Sequence, residues 1–265
     1  MTNTGWLQLG QEALKVPGLI VEIYGDLARP GVRQVGKALD TVLGLGNTIL
    51  WPITWTNERS RIYLEKNLEK YRLRLEQIPE EKIVSVAPEI GVPIAEKLAY
   101  VRDERLSDLY VSLLSKASCA DTVANAHPSF VNVINNLSPD EAQLLEYFTD
   151  NEDLMFVTAK WVNPKDHSFS FAGDFLIAPE HMSTLAFAQN VPAYFSNLSG
   201  LGLVSAHPGR TLIESKAAYE LIESHWKAAL PKSHAMQPEN ELQFELGVIT
   251  LTEFGRQFIA ACHMR

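Results

Sequence analysis

The sequence predicts a mainly α protein of the α+β class, with an N-terminal helical domain over residues 1–136 and a smaller α+β domain over residues 137–265. Three observations carry that expectation. Apolar residues recur three and four apart through the first half, the period of a helix with one buried face. From Met155 onward the pattern changes to short runs rich in β-branched and aromatic residues. Between the two lies Ser138-Pro139-Asp140-Glu141, which reads as a helix start with Ser138 as N-cap, Pro139 at the first helical position and Glu141 at the third; it places the boundary near residue 137.

Composition narrows the function classes. With 46% hydrophobic residues over 265 positions, there is enough apolar material for a core in each domain. The net charge of −9 divides as 15 basic against 20 acidic residues over positions 1–150 and 8 against 12 over the rest, so neither half has the positive balance that phosphate neutralisation needs. Cys119 and Cys262 lie far apart and lack metal-motif spacing; both read as buried thiols in a reducing compartment. The start MTNTGWLQLGQEALK lacks the basic-then-apolar layout of a secretory signal, and no window supplies about 18–20 apolar residues, so a cytoplasmic location is expected.

Element by element, Leu14, Val16, Leu19, Ile20, Ile23, Tyr24 and Leu27 outline a first buried helix face, with Pro17-Gly18 as a break. Pro30 opens a second helix whose polar face carries Arg33, Lys37 and Asp40. Residues 41–57, TVLGLGNTILWPITWTN, then run without a charge. One reading is a buried helical hairpin turning at Pro52. The other is an interfacial segment, with Trp51 and Trp55 at headgroup depth and Arg29, Arg33 and Lys37 meeting anionic lipid or a partner from the flank. Next comes an amphipathic helix with Leu64, Leu68, Tyr71, Leu75 and Ile78 on one face, a stripe also able to seed a helical dimer. Its charges are mixed: Lys66 with Lys70 and Glu65 with Glu69 are like-charge pairs four apart, whereas Arg61–Glu65 and Arg72–Glu76 are opposite.

Pro79, Pro88 and Pro93 read as a linker, followed by a helix with Leu98, Val101, Leu106, Leu109, Leu113 and Leu114 on its apolar side and a break at Ala126-His127-Pro128. In the second half, 155–162 and 169–177 read as a strand pair joined by the turn Asn163-Pro164-Lys165-Asp166. A helix over 183–201, interrupted near Pro192, gives way at Leu201-Gly202-Leu203-Val204 to a strand. Another helix follows over 211–229, then the strand FELGVITLT and the helix EFGRQFIAAC.

Catalytic and metal-binding signatures are missing at the level of sequence, so no enzyme activity, cofactor or metal is expected. Gly44-Leu45-Gly46 lacks the third glycine and the lysine of a phosphate loop. His127 has no acid or nucleophile near it in sequence and reads as a turn or helix-end contact. His207, His225 and His234 do not follow a metal spacing. Asp103, Glu104 and Asp108, interleaved with Arg102 and Arg105, read as a solvated ionic face.

The order of helices, GLGLV and GVITLTEFGRQFIAAC resembles a winged-helix domain with a helical insertion in its wing. DLARPGVRQVGKALDTVLGLGNTILWPITW, EKNLEKYRLRLEQIPEEKIVSVAPEIGVPIAEKLAYVRDERLSDLYVSLL and AHPSFVNVINNLSPDEAQLL resemble the abortive-infection alpha family of phage-defence proteins. That resemblance implies a role in phage defence and, having no catalytic motif, little about mechanism. Three functions follow as expectations. The first is a sensor or effector acting through protein contacts with a phage or host protein or with further copies of itself; the second is an effector that reaches the inner membrane peripherally through residues 30–55. The third is a DNA-binding regulator, which the winged-helix likeness alone suggests. Against the third, no Lys, Arg, Asp or Glu lies between Met182 and Gly209, where a recognition helix belongs, so nucleic acid is not expected as a partner.

Overall fold

The computed structural model describes residues 58–150, 153–212, 215–230 and 238–262, which form two compact units dividing between Asn135 and Asn136. Arg29, Arg33, Lys37, Trp51 and Trp55, and both readings of residues 41–57, lie outside the described residues.

The first unit is helical: α1 (Glu58–Leu75), α2 (Pro88–Leu98), α3 (Glu104–Ala117) and α4 (Ser129–Asn135). The amphipathic stripe is α1, with Leu64, Leu68, Tyr71 and Leu75 all buried. It is spent inside this unit, against α2 and α3. The Pro88–Pro93 stretch is helix rather than linker. Pro88 takes the first helical position, where its missing N–H costs nothing, and Ile90, Ile94 and Leu98 form a buried row strong enough to carry Pro93 inside the helix. The continuous helix expected through Val101 breaks there, because Asp103 caps α3 by accepting from the Arg105 and Leu106 amides at 3.0 and 3.2 Å.

Helix α3 is buried on nearly every side, including Ser107, Ser112 and Ser115. These serines stay satisfied at little volume: Ser115 donates to the Val111 carbonyl at 2.8 Å, and Ser112 accepts from Arg74 at 2.8 Å. The like-charge pair Lys66/Lys70 is resolved across helices, both ammonium groups bonding the Glu104 carboxylate. Lys70 also donates to Asp108 at 2.9 Å. Burial pulls the Lys70 ammonium down, but the bonds to Glu104 and Asp108 outweigh it and hold it above its ordinary value. Exposed pairs of this kind contribute about 0.2–1 kcal/mol each, whereas burying one leucine side chain contributes about 1.5–3 kcal/mol. Packing therefore stabilises the unit, and the ion pairs set the register of α1 on α3.

The second unit is α+β. It contains α5 (Pro139–Asp150), β1 (Asp153–Val162), β2 (Phe169–Leu176), the short α6 (Pro179–Met182), α7 (Val191–Gly200), β3 (Val204–Pro208), α8 (Lys216–Ala229), β4 (Glu241–Leu251) and α9 (Glu253–Cys262). The Ser138 capping box is formed: Glu141 N–H donates to Ser138 Oγ at 3.3 Å, and Ser138 N–H to Glu141 Oε2 at 2.6 Å. The helix expected over 183–201 starts only at Val191, because Pro192 lacks an N–H and is accommodated in a first turn; residues 188–190 form a 3-10 turn before it. The helix expected from residue 211 begins at Lys216. Helix α7 ends in a Schellman motif, with Leu203 N–H bonding the Leu198 carbonyl at 3.0 Å and Gly202 at φ 75°.

The four strands are antiparallel in the order β2-β1-β4-β3, so the last strand in sequence lies inside the sheet. Helix α8 covers one face through Tyr219 and Ile222, which pack with Val157, Ala159 and Leu176. On the other face Phe175 stacks between Phe156 and Phe195 of α7, with centroids 5.1 and 5.5 Å apart. Phe175 sits at φ 49°, a region a bulky residue rarely adopts, next to register shifts in the β1–β2 pairing. Gly247 lies opposite Phe156, and a Cβ there would fall 2.3 Å from the Phe156 ring. Gly247→Ala is accordingly expected to lower stability by about 2 kcal/mol. Because the obstacle is a side chain, the same substitution in a Phe156→Leu background should cost clearly less, as measured by denaturant unfolding of all four proteins in a double-mutant cycle.

Candidate functional site

Strand β1 keeps an unbroken register with β4, so Phe156, Thr158, Lys160 and Val162 share one face. Phe156 is buried beneath α7, whereas the same face emerges into solvent toward the hairpin tip. There Phe171 pairs with Lys160 and Phe169 with Val162. Phe169 is 55% exposed and Phe171 67%, with the two rings edge to face at 5.5 Å. The Lys160 ammonium lies 5.1 and 5.7 Å from their centroids and 2.5 Å from the Glu245 carboxylate. The hairpin turn that projects this patch is fixed locally: Lys165 N–H donates to the Asn163 side chain at 2.9 Å, and Ser168 N–H to Asp166 at 2.9 Å. Since β2 is an edge strand, two aromatic rings, a cation and a sheet edge occur together.

Such a patch suits contact rather than catalysis. Aromatic rings on a rigid strand bury large area at small entropic cost, and aromatic and cationic side chains are common anchors at interfaces. Among the described residues, no three His, Cys, Asp or Glu side chains lie close enough to hold a metal ion.

His127 Nδ1 accepts the Ser129 N–H at 3.1 Å, a helix-end contact at the start of α4. His207 bonds Thr250 across the β3–β4 ladder at 3.1 Å, and His225 packs edge-on against Trp226. His234 lies outside the described residues. Glu104 and Asp108 remain largely exposed while pairing with α1, and Asp103 is the α3 cap. Both cysteines are buried, and burial pushes the Cys262 thiol well above its ordinary range, which disfavours the nucleophilic thiolate. Sequence reading missed Phe169 and Phe171 as a surface feature. The available signal was their two-residue spacing in FSFAG, which puts both rings on one strand face.

With that architecture in place, the comparisons with known proteins identify the class. The abortive infection alpha pattern matches residues 63–262. The chain belongs to the abortive infection alpha family, a finding that also supports an abortive-infection role. No curated protein matches the chain. One solved structure, an uncharacterized protein from the hydrocarbon-degrading marine bacterium Alcanivorax borkumensis SK2, is similar at 18% identity over 50% of this chain and 90% of that one, with a TM-score of 0.30; a likeness that shallow fixes neither fold nor function. No described helix is long and apolar enough to cross a membrane.

Proposed function

We propose that the chain acts in abortive infection through protein contact, as sensor or effector, without catalysis or a resident cofactor of its own. The Phe169–Phe171–Lys160 patch carries this reading. It exposes two aromatic rings on a strand whose outer edge takes no partner strand among the described residues. We read the second unit as winged-helix-like, which the antiparallel order β1-β4-β3 and the insertion of α8 between β3 and β4 support. In such an arrangement α7 would be the recognition helix; it carries no charged side chain, which favours a protein surface over DNA.

The test is a phage-challenge assay in cells expressing the Phe169→Ser/Phe171→Ser double variant. Both side chains are exposed, so the variant should fold and accumulate normally. Protection is expected to fall by at least about tenfold in plating efficiency, the size of effect that losing roughly 1.4 kcal/mol of binding gives. Full protection by the double variant would sink the contact reading. If Trp51→Glu then abolished protection, the activity would move to the membrane reading of residues 30–55.

A further inference from the structure

The second unit has an open pocket of about 350 Å³ between α5, the start of β1, α6 and α8. That is the small end of the range for small-molecule sites, roughly 300–1,000 Å³. Leu154 and Ile222 form apolar wall, and Leu221, 73% exposed on α8, stands at its margin. The ionisable groups lining it are unusually one-sided. Asp153 and Glu180 contribute carboxylates, and among the described residues no lysine or arginine lines the space. Among the described residues neither carboxylate has an ion-pair or side-chain hydrogen-bond partner; Asp153 is half-buried and Glu180 exposed at the rim. His181 lines the same space with its ring edge to face with Tyr147 at 4.4 Å. Burial holds the His181 imidazole below its ordinary value, against the opposing pull of Glu180, which favours its neutral form.

From this lining we infer that the cavity is a binding site for a small organic cation, an ammonium group on an apolar body. Among the described residues, an anion would meet two carboxylates and no compensating cation. A neutral apolar molecule would strip water from them and return nothing, a cost of a few kcal/mol per unpaired group. A bare metal ion is disfavoured because, among the described residues, the pocket's acids and histidine do not converge. An ammonium pairs with the carboxylates and faces the Tyr147 ring, while its hydrocarbon body lies along Leu154, Leu221 and Ile222. This site lies apart from the hairpin patch and does not depend on the contact reading.

Titration calorimetry of the full chain with 4-phenylbutylamine, 4-phenylbutanol and 4-phenylbutyrate tests it. The amine is expected to bind at least roughly tenfold tighter than the alcohol, and the carboxylate weakest of the three. Asp153→Asn/Glu180→Gln should bring the amine down to the affinity of the alcohol, and Ala218→Phe, which fills the cavity, should abolish both while leaving the circular dichroism spectrum unchanged. Equal affinity for amine and alcohol would overturn the assignment. So would no amine binding at millimolar concentration, or amine binding indifferent to the double substitution. Each of these outcomes leaves the phage-challenge result with Phe169 and Phe171 untouched.

Discussion

Gly255→Ala is expected to destabilise the second unit by at least about 3 kcal/mol, at the severe end for a single added methyl group. Gly255 lies in the first turn of α9, and a Cβ built there would fall 2.0 Å from the Leu203 carbonyl oxygen and 2.9 Å from its carbon. The obstacle is backbone, so no rotamer change relieves it. That carbonyl also accepts the Thr252 N–H at 3.0 Å, which ties the end of β4 to the chain entering β3. Moving Leu203 would disturb this bond, and moving α9 would lift Phe258, fully buried, out of the core. In contrast with Gly247→Ala, no single compensating substitution should restore stability. The check is urea denaturation followed by circular dichroism, and a midpoint within error of the parent chain would show that α9 has slack that the close approach denies.

Asp140→Ala is the second large effect, expected at about 3–4 kcal/mol from the loss of three hydrogen bonds to one buried carboxylate. Asp140 sits in the first turn of α5, where the helix dipole favours its charge. It accepts from the Ala186 and Phe187 amides at 2.9 and 2.8 Å and from the Tyr194 hydroxyl at 2.8 Å. One side chain thus fixes the irregular segment before α7 and α7 itself onto α5. Burial, followed by the bond donated to Asp140, holds the Tyr194 phenol above its ordinary value. Asp140→Asn should fare little better than alanine, because its NH₂ would face one of three donors. Tyr194→Phe removes one bond and should cost about 1 kcal/mol in the parent but almost nothing after Asp140→Ala. Additive costs in that cycle, read from unfolding midpoints, would mean the carboxylate does not organise the three donors.

What could be read from sequence was local. The Leu64–Leu75 stripe, the Ser138–Glu141 box and the β1–β2 strand pair each rest on residues within a few positions of one another, and all three form. The misreadings have a common cause. Pro88 and Pro93 read as linker because propensity says so, and only the packing of Ile90, Ile94 and Leu98 reverses it. Pro192 reads as an interruption, but it lies in the first turn of a helix. The donors to Asp140 from Ala186, Phe187 and Tyr194 lie more than forty residues away, so its role does not show in the sequence around it. The cavity was invisible for the same reason: Asp153, Glu180 and Leu221 meet through three separate elements. The exposure of Phe169 and Phe171 likewise depends on where the cover from α7 ends.

The interior position of β4 also bears on synthesis at the ribosome. The β1–β2 hairpin is complete by Leu176, but the strand that flanks β1 on its other side begins only at Glu241, with α7, β3 and α8 translated in between. Through that interval the nascent chain presents Val157, Ala159 and Trp161 on an open strand edge, together with the exposed rings of Phe169 and Phe171. Such an edge pairs readily with other chains until its own partner arrives, so this stretch of translation is where a holding chaperone would act on the nascent protein.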